Sequence, residues 1–309
     1  MGVSDTKVSN SILGALLAIS AAGSLAANEI ATPLSGSDFS QQFSKLGFME
    51  IVPDSDRAPS HSKVFLRSAT NSPSTIKTSR SVRVNIYIEG DGAPWHSRQI
   101  APTDPTPKNP LGASLAATDD ANLVGYLGRP CMYLSSTQLK DCPSALWASA
   151  RFGKEVLEIS DQALDDLIAH TKRQTHADQV RLNLVGYSGG GALATLLATR
   201  RSDVVCIVTL AAPLDIEAWA HLQNIAPLID SFNPAYPDSR LQKIPQMHWY
   251  GEKDKIVPTK SIGRYQNWSA STTPQSFVQI LPDFNHGDFW IRDWPLLRSQ
   301  TCLNEKNSN

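Results

Sequence analysis

The 309-residue sequence has no H-E-x-x-H, no C-x-x-C pair and only four cysteines. A metallopeptidase helix or a structural zinc site therefore has no ligand set to draw on, and no metal or other cofactor is implied. There is no basic run either: 28 Lys and Arg against 29 Asp and Glu give a formal net charge of −1. Phosphate backbones are gripped by clustered cations, so nucleic acid is not an expected partner. Nor is there a hydrophobic run of the roughly 20 residues that a spanning helix needs.

What the N-terminus does have is an uncharged stretch, residues 8–28, with an apolar centre from Ile12 to Ile19 and small residues after it. This reads as a secretory signal cut after Ala26, where Ser24 and Ala26 satisfy the small-x-small rule. Attachment to a membrane is expected only if that segment stays on. Four cysteines suit an oxidising, periplasmic or extracellular address. Cys131 and Cys142 bracket a loop-like stretch and are expected to form a local disulfide. Cys206 lies in an apolar strand-like run and reads as a small core residue, while Cys302 has no assignment.

With 41% hydrophobic and 18% charged residues, the remainder can bury a substantial core. Residues 27–81 read as an N-terminal extension with edge strands. Within them, residues 28–45 are polar with few periodic hydrophobes, 48–52 and 64–67 are short strands, and 68–81 is a Ser/Thr-rich connection. Residues 82–309 read as the main domain. Strands are expected at 82–88, 123–127, 180–187, 204–210, 245–250 and 277–281. Helices are expected at 111–118, 154–171, after residue 188, near 259–267 and at 290–301. Strands that alternate with helices predict an α/β fold, a mainly parallel sheet with helices on both faces.

The most informative stretch is Gly186-Tyr187-Ser188-Gly189-Gly190. It is a G-x-S-x-G match between an apolar strand and a helix of small and aliphatic residues, the setting that gives the motif its meaning. A serine at the tip of such a turn is a candidate nucleophile. The helix that starts beside it offers unpaired N–H groups to developing negative charge.

A neutral hydroxyl needs a base, and the base an orienting acid. Of seven histidines, His286 is best placed, a few residues past the last strand at the sheet edge expected to carry Ser188. His61, His96, His170 and His176 read as loop or surface residues. His221 lies in the irregular 214–243 excursion, and His248 falls mid-strand. Two acids follow strand ends at the same edge, Asp254 and Asp215.

G-Y-S-G-G, the later Gly251-Glu252-Lys253-Asp254-Lys255-Ile256-Val257-Pro258 and the late His286-Gly287 together resemble the α/β-hydrolase superfamily over about residues 80–302. Glu89-Gly90-Asp91-Gly92, Gly128-Arg129-Pro130-Cys131 and the stretch from Leu146 to Phe152 are similar to exported bacterial members. The resemblance implies the α/β-hydrolase fold and the order nucleophile Ser188, acid Asp254, base His286. Many members have His-Gly after the first long strand where this chain has Glu89-Gly90. The oxyanion hole is therefore expected from the N–H of Gly189 together with that of Asp91 or Gly92. The implied activity is that of a serine hydrolase acting on a small-molecule ester-like acyl substrate. Two other readings stand beside it: a serine peptidase, and a non-catalytic envelope-associated binding protein on the same fold. Trp95 and Trp219 are expected to wall the pocket.

Overall fold

Eight strands form one sheet, and from residue 81 onward a helix lies between each strand and the next. The computed structural model describes residues 36–53, 61–69, 80–93, 100–236, 238–272 and 275–304. The expected signal segment, most of the Ser/Thr-rich connection, Trp95 and His96 lie outside the described residues. In chain order the main elements are α1 (Gly36–Lys45), β1 (Met49–Glu50), β2 (Val64–Ser68), β3 (Ser81–Ile88), α2 (Leu111–Thr118) and β4 (Leu123–Leu127). They continue with α3 (Lys154–Thr175), β5 (Gln179–Tyr187), α4 (Gly189–Arg200), β6 (Val204–Leu210), α5 (Ile216–Leu222), β7 (Gln246–Gly251), α6 (Gly263–Thr272), β8 (Ser276–Leu281) and α7 (Trp290–Ser299).

The strand order is β1-β2-β4-β3-β5-β6-β7-β8. Strand β2 runs antiparallel to both of its neighbours, and every other pairing is parallel. Side chains alternate across the sheet as the two-residue period requires. Val84, Ile86 and Ile88 of β3 and Leu182 and Leu184 of β5 meet Val156, Leu164 and Leu167 of α3 and Leu193 and Leu197 of α4 in one core layer. Tyr87 and Val185 face the other way, toward α1, α2 and α7. Helix α4 is buried at Gly189, Gly190, Gly191 and from Ala192 to Ala198. Its lack of a polar face follows from lying against the middle of the sheet.

Register sets what meets at the sheet edge. Ile88 pairs with Gly186, so the chain leaving β3 emerges beside the turn that holds Ser188. Gly251 pairs with Leu281, so the loops carrying Asp254 and His286 leave adjacent strands side by side.

Helix α1 departs from the sequence expectation for residues 28–45. Phe39 and Phe43, one turn apart, put both rings on one face, and each is at most 1% exposed. Phe39 stacks on Tyr133 at 3.9 Å between centroids and Phe43 on Phe48 at 4.0 Å. Two large aromatics at i and i+4 anchor this short helix where no longer apolar period exists.

Candidate active site

Strand β5 ends at Tyr187 and α4 begins at Gly189, leaving one residue to reverse the chain. Ser188 does so at φ 51°, ψ −127°. A non-glycine residue in that region carries about 1–3 kcal/mol of backbone strain. Its N–H donates to the Leu210 carbonyl at 2.8 Å and its carbonyl accepts from Gly191 N–H at 2.9 Å. The turn is thereby pinned to β6 and to its own helix.

The Ser188 Oγ lies 3.0 Å from His286 Nε2, and His286 Nδ1 lies 2.8 Å from Asp254 Oδ2. The Asp254 side chain is fully buried. Its other oxygen, Oδ1, accepts from the N–H groups of Ile256 and Val257, both at 2.8 Å. That leaves Oδ2 aimed at the imidazole. An acceptor on Nδ1 places a proton there and leaves Nε2 with a lone pair toward the serine. The His286 loop is fastened to the Asp254 loop by Lys253 N–H, which donates to Phe284 O at 2.9 Å. The His286 carbonyl accepts from Tyr187 Oη at 2.9 Å and from Trp290 Nε1 at 3.0 Å.

Beside this chain lies the loop after β3. Glu89 is 1% exposed and accepts from Gly90 N–H, Gly112 N–H, Ala113 N–H and Tyr126 Oη at 3.0–3.2 Å. Burial raises its pKa, and these four donors oppose the rise. Gly92 sits at φ +85°, and a Cβ there would overlap the Pro105 carbonyl, so glycine is required. Among the described residues the N–H groups of Asp91, Gly92 and Gly189 have no acceptor. Asp91 and Gly92 line the same cavity as Ser188, and the Asp91 carboxylate packs against Gly189.

A cavity of about 900 Å³ opens over Ser188 and His286. Its lining includes the apolar Trp219, Ile225, Pro227, Leu228 and Ile256 and the polar Asp91, Asn109, Ser149 and Arg151. Trp219 also donates through Nε1 to Ile256 O at 2.7 Å, so it packs and lines at once.

The rival acid is elsewhere. Asp215 caps α5, accepting from Ala218 N–H at 3.2 Å, and pairs with Arg264 at 3.4 Å. His248 is wholly buried, 2.9 Å from Thr209 Oγ1, and burial lowers its pKa to about 3. It is a neutral structural imidazole. Among the described residues no cluster of three or more His, Cys, Asp or Glu is placed to hold a metal ion. No helix among them is long and apolar enough to cross a membrane.

Cys131 and Cys142 are joined as a disulfide, with Cα atoms 6.0 Å apart. Cys206 and Cys302 are joined as well, at 5.8 Å. Cys206 is fully buried in the core, as expected, and the disulfide adds a bond to Cys302, which had no assignment. The partners are 96 residues apart in sequence, and only the packing of the segment after α7 against β6 brings them together.

The sequence matches no protein-family model and no curated protein. Solved structures do match. A puromycin hydrolase superposes with a TM-score of 0.52 at 14% identity, over 82% of this chain and 38% of that one. The acylaminoacyl peptidase of Pyrococcus horikoshii gives 0.51 at 15% identity, over 81% and 39%. Est1E of Butyrivibrio proteoclasticus gives 0.48 at 14% identity, over 81% and 95%. The chain thus spans under two fifths of the first two. With its strand order, its single antiparallel strand near one edge and these superpositions, the chain has the α/β-hydrolase fold.

Proposed function

We propose that this protein is a serine hydrolase that cleaves an ester-like acyl bond of a small molecule through an acyl-enzyme. The observation that carries the reading is the continuous hydrogen-bonded line from Ser188 Oγ through His286 to the buried Asp254 carboxylate, at 3.0 and 2.8 Å. Neither distance needs a loop to move for a proton to pass.

In this mechanism His286 Nε2 takes the Ser188 proton as Oγ attacks the substrate carbonyl. Asp254 keeps the imidazole proton on Nδ1 and stabilises the imidazolium that forms. The N–H of Gly189, with that of Asp91 or Gly92, receives the oxyanion; each such donor is typically worth about 100- to 1000-fold in rate. His286 then protonates the leaving group, and water repeats the cycle on the acyl-enzyme. The fold also hosts amide chemistry, and fold alone does not select among these. The apolar part of the cavity lining supports an acyl group of medium length, and the cavity volume fits a small molecule.

Two disulfides support an oxidising compartment. With the uncharged stretch at residues 8–28, they support export.

The test is a panel of p-nitrophenyl esters, anilides and thioesters on the wild type and Ser188→Ala. Turnover of esters by the wild type, lost by at least about 10⁴-fold in Ser188→Ala, is expected. Equal turnover by both removes Ser188 as nucleophile, and faster anilide than ester hydrolysis makes the protein an amidase instead.

A further inference from the structure

The loop that supplies the oxyanion donors is poorly held by its own backbone. Two glycines flank Asp91, and glycine carries the largest conformational entropy of any residue. Gly90 N–H turns back to Glu89 Oε1, and the next backbone anchor is Ala93 N–H on Pro105 O at 3.0 Å. Between them, among the described residues, no backbone bond fixes the N–H groups of Asp91 and Gly92.

What fixes that interval is a side chain. Asp91 Oδ1 accepts from Arg129 Nη1 at 2.8 Å, and Oδ2 from Arg151 Nη1 at 3.1 Å. The two arginines come from different segments, the end of β4 and the approach to α3, and their side chains are 4% and 6% exposed. Each is itself braced. Arg129 donates to Arg151 O and lies over the Phe152 ring at 5.1 Å. Arg151 Nε donates to Ala148 O at 2.8 Å. The carboxylate also rests on the first residue of α4: a Cβ at Gly189 would collide with Asp91 Oδ1 and Cγ. The same side chain therefore touches both halves of the expected oxyanion hole, the loop after β3 and the helix start at Gly189. Partial burial pushes the Asp91 pKa up, but Arg151 and Arg129 more than offset that and keep the carboxyl below its ordinary range.

We propose that the Asp91 carboxylate is a positioning group for the reaction, a strut that ties the loop after β3 to Arg129 and Arg151 and sets its N–H groups against that of Gly189. This rests on the serine-hydrolase reading and gives Asp91 a side-chain role besides that of its N–H. Because hydrogen bonds to an oxyanion depend steeply on donor placement, loosening the strut lowers transition-state binding more than ground-state binding. Charge points the same way. A carboxylate beside a developing oxyanion repels it unless compensated, and here one carboxylate stands between two guanidiniums.

The test uses the full chain with p-nitrophenyl butyrate as substrate and a trifluoromethyl ketone as tetrahedral-adduct probe. Asp91→Asn keeps the shape and one acceptor but removes the charge. The expected result is a folded protein by circular dichroism whose kcat falls by about 100-fold while KM stays within about threefold. Affinity for the ketone should fall by the same factor as kcat/KM, which a general loss of stability does not produce. A folded Asp91→Asn with kcat within about threefold of wild type, or one in which KM rises and ketone affinity is unchanged, overturns the proposal. If Asp91→Asn does not fold, Arg151→Gln, which leaves the Arg129–Asp91 bond in place, is judged by the same two criteria. Ser188→Ala run alongside separates the readings. If it retains full activity, the hydrolase reading itself fails. If it is inactive while Asp91→Asn is fully active, only the strut is wrong.

Discussion

The hydroxyl of Tyr187 donates to the carbonyl oxygen of His286 at 2.9 Å. The residue just before the turn serine thus holds the backbone of the imidazole that faces that serine, and the two rings lie 5.3 Å apart. Trp290 Nε1 shares the same carbonyl at 3.0 Å. Removing one donor of a shared pair costs about 1 kcal/mol of stability, so Tyr187→Phe should lower Tm by a few degrees, and the loosened imidazole backbone should lower kcat by up to roughly fivefold. Tyr187→Phe combined with Trp290→Phe should lose more than the product of the single effects, because each donor covers for the other. Steady-state kinetics on the three variants checks this, and simple multiplication of the two effects contradicts it.

The two disulfides should contribute unequally. The entropy of closing a loop rises with its length, so the 11-residue separation of Cys131 and Cys142 corresponds to about 3 kcal/mol and the 96-residue separation of Cys206 and Cys302 to about 5 kcal/mol. Urea denaturation of the paired Ser variants should therefore rank the Cys206/Cys302 variant as the less stable. The opposite rank would show that the link from β6 to the segment after α7 adds little to the fold.

His248 gives a pH dependence with a definite sign. Its folded-state pKa, lowered to about 3 by burial, lies below the unfolded value, so the unfolded chain binds the proton first as pH falls. Stability from this group is fully present above about pH 6.5 and declines between there and pH 3, by about 2 kcal/mol at pH 5 relative to pH 7. His248→Gln, whose side chain does not titrate, should have a shallower fall over that window. Equal slopes in equilibrium unfolding at pH 5, 6 and 7 would falsify the assignment of a neutral buried imidazole.

Helix α1 is held by its rings. Phe39 is fully buried and stacked on Tyr133, so Phe39→Ala should destabilise by about 3–5 kcal/mol. Its ring contacts are with Phe43, Phe65 of β2, Tyr126 of β4 and Tyr133, and none is with Ser188, Asp254 or His286, so kcat should be unaffected at a temperature where the variant is folded. A kcat loss larger than about threefold in the folded variant would show coupling from this helix to Ser188.

The strands and helices from β3 onward were legible because their signals are local. Residues 111–118, 123–127 and 204–210 were delimited by apolar runs and breakers alone, and they match α2, β4 and β6. The strand-turn-helix around Ser188 was visible for the same reason, and strand-end logic brought Asp254 and His286 to the same edge. That logic could not separate Asp254 from Asp215. Both follow strands, and what distinguishes them is that Asp215 spends its oxygens on a helix cap and Arg264. Contacts over long sequence distances were not legible: Cys206 with Cys302, or Asp91 with Arg129 and Arg151. Helix α1 escaped because two phenylalanines in ten residues make no period. In Glu89-Gly90-Asp91-Gly92 only the backbone signal is local, since nothing in four residues says that two buried arginines converge on one carboxylate.

The proposed activity requires that His286 activate Ser188. The most direct measurement is labelling of the purified full chain with a fluorophosphonate, followed by mass spectrometry of the modified peptide. The prediction is one adduct, on Ser188, that is absent in Ser188→Ala and slowed by at least about 1000-fold in His286→Ala. No labelling of the folded wild type, or labelling of His286→Ala at the wild-type rate, contradicts it.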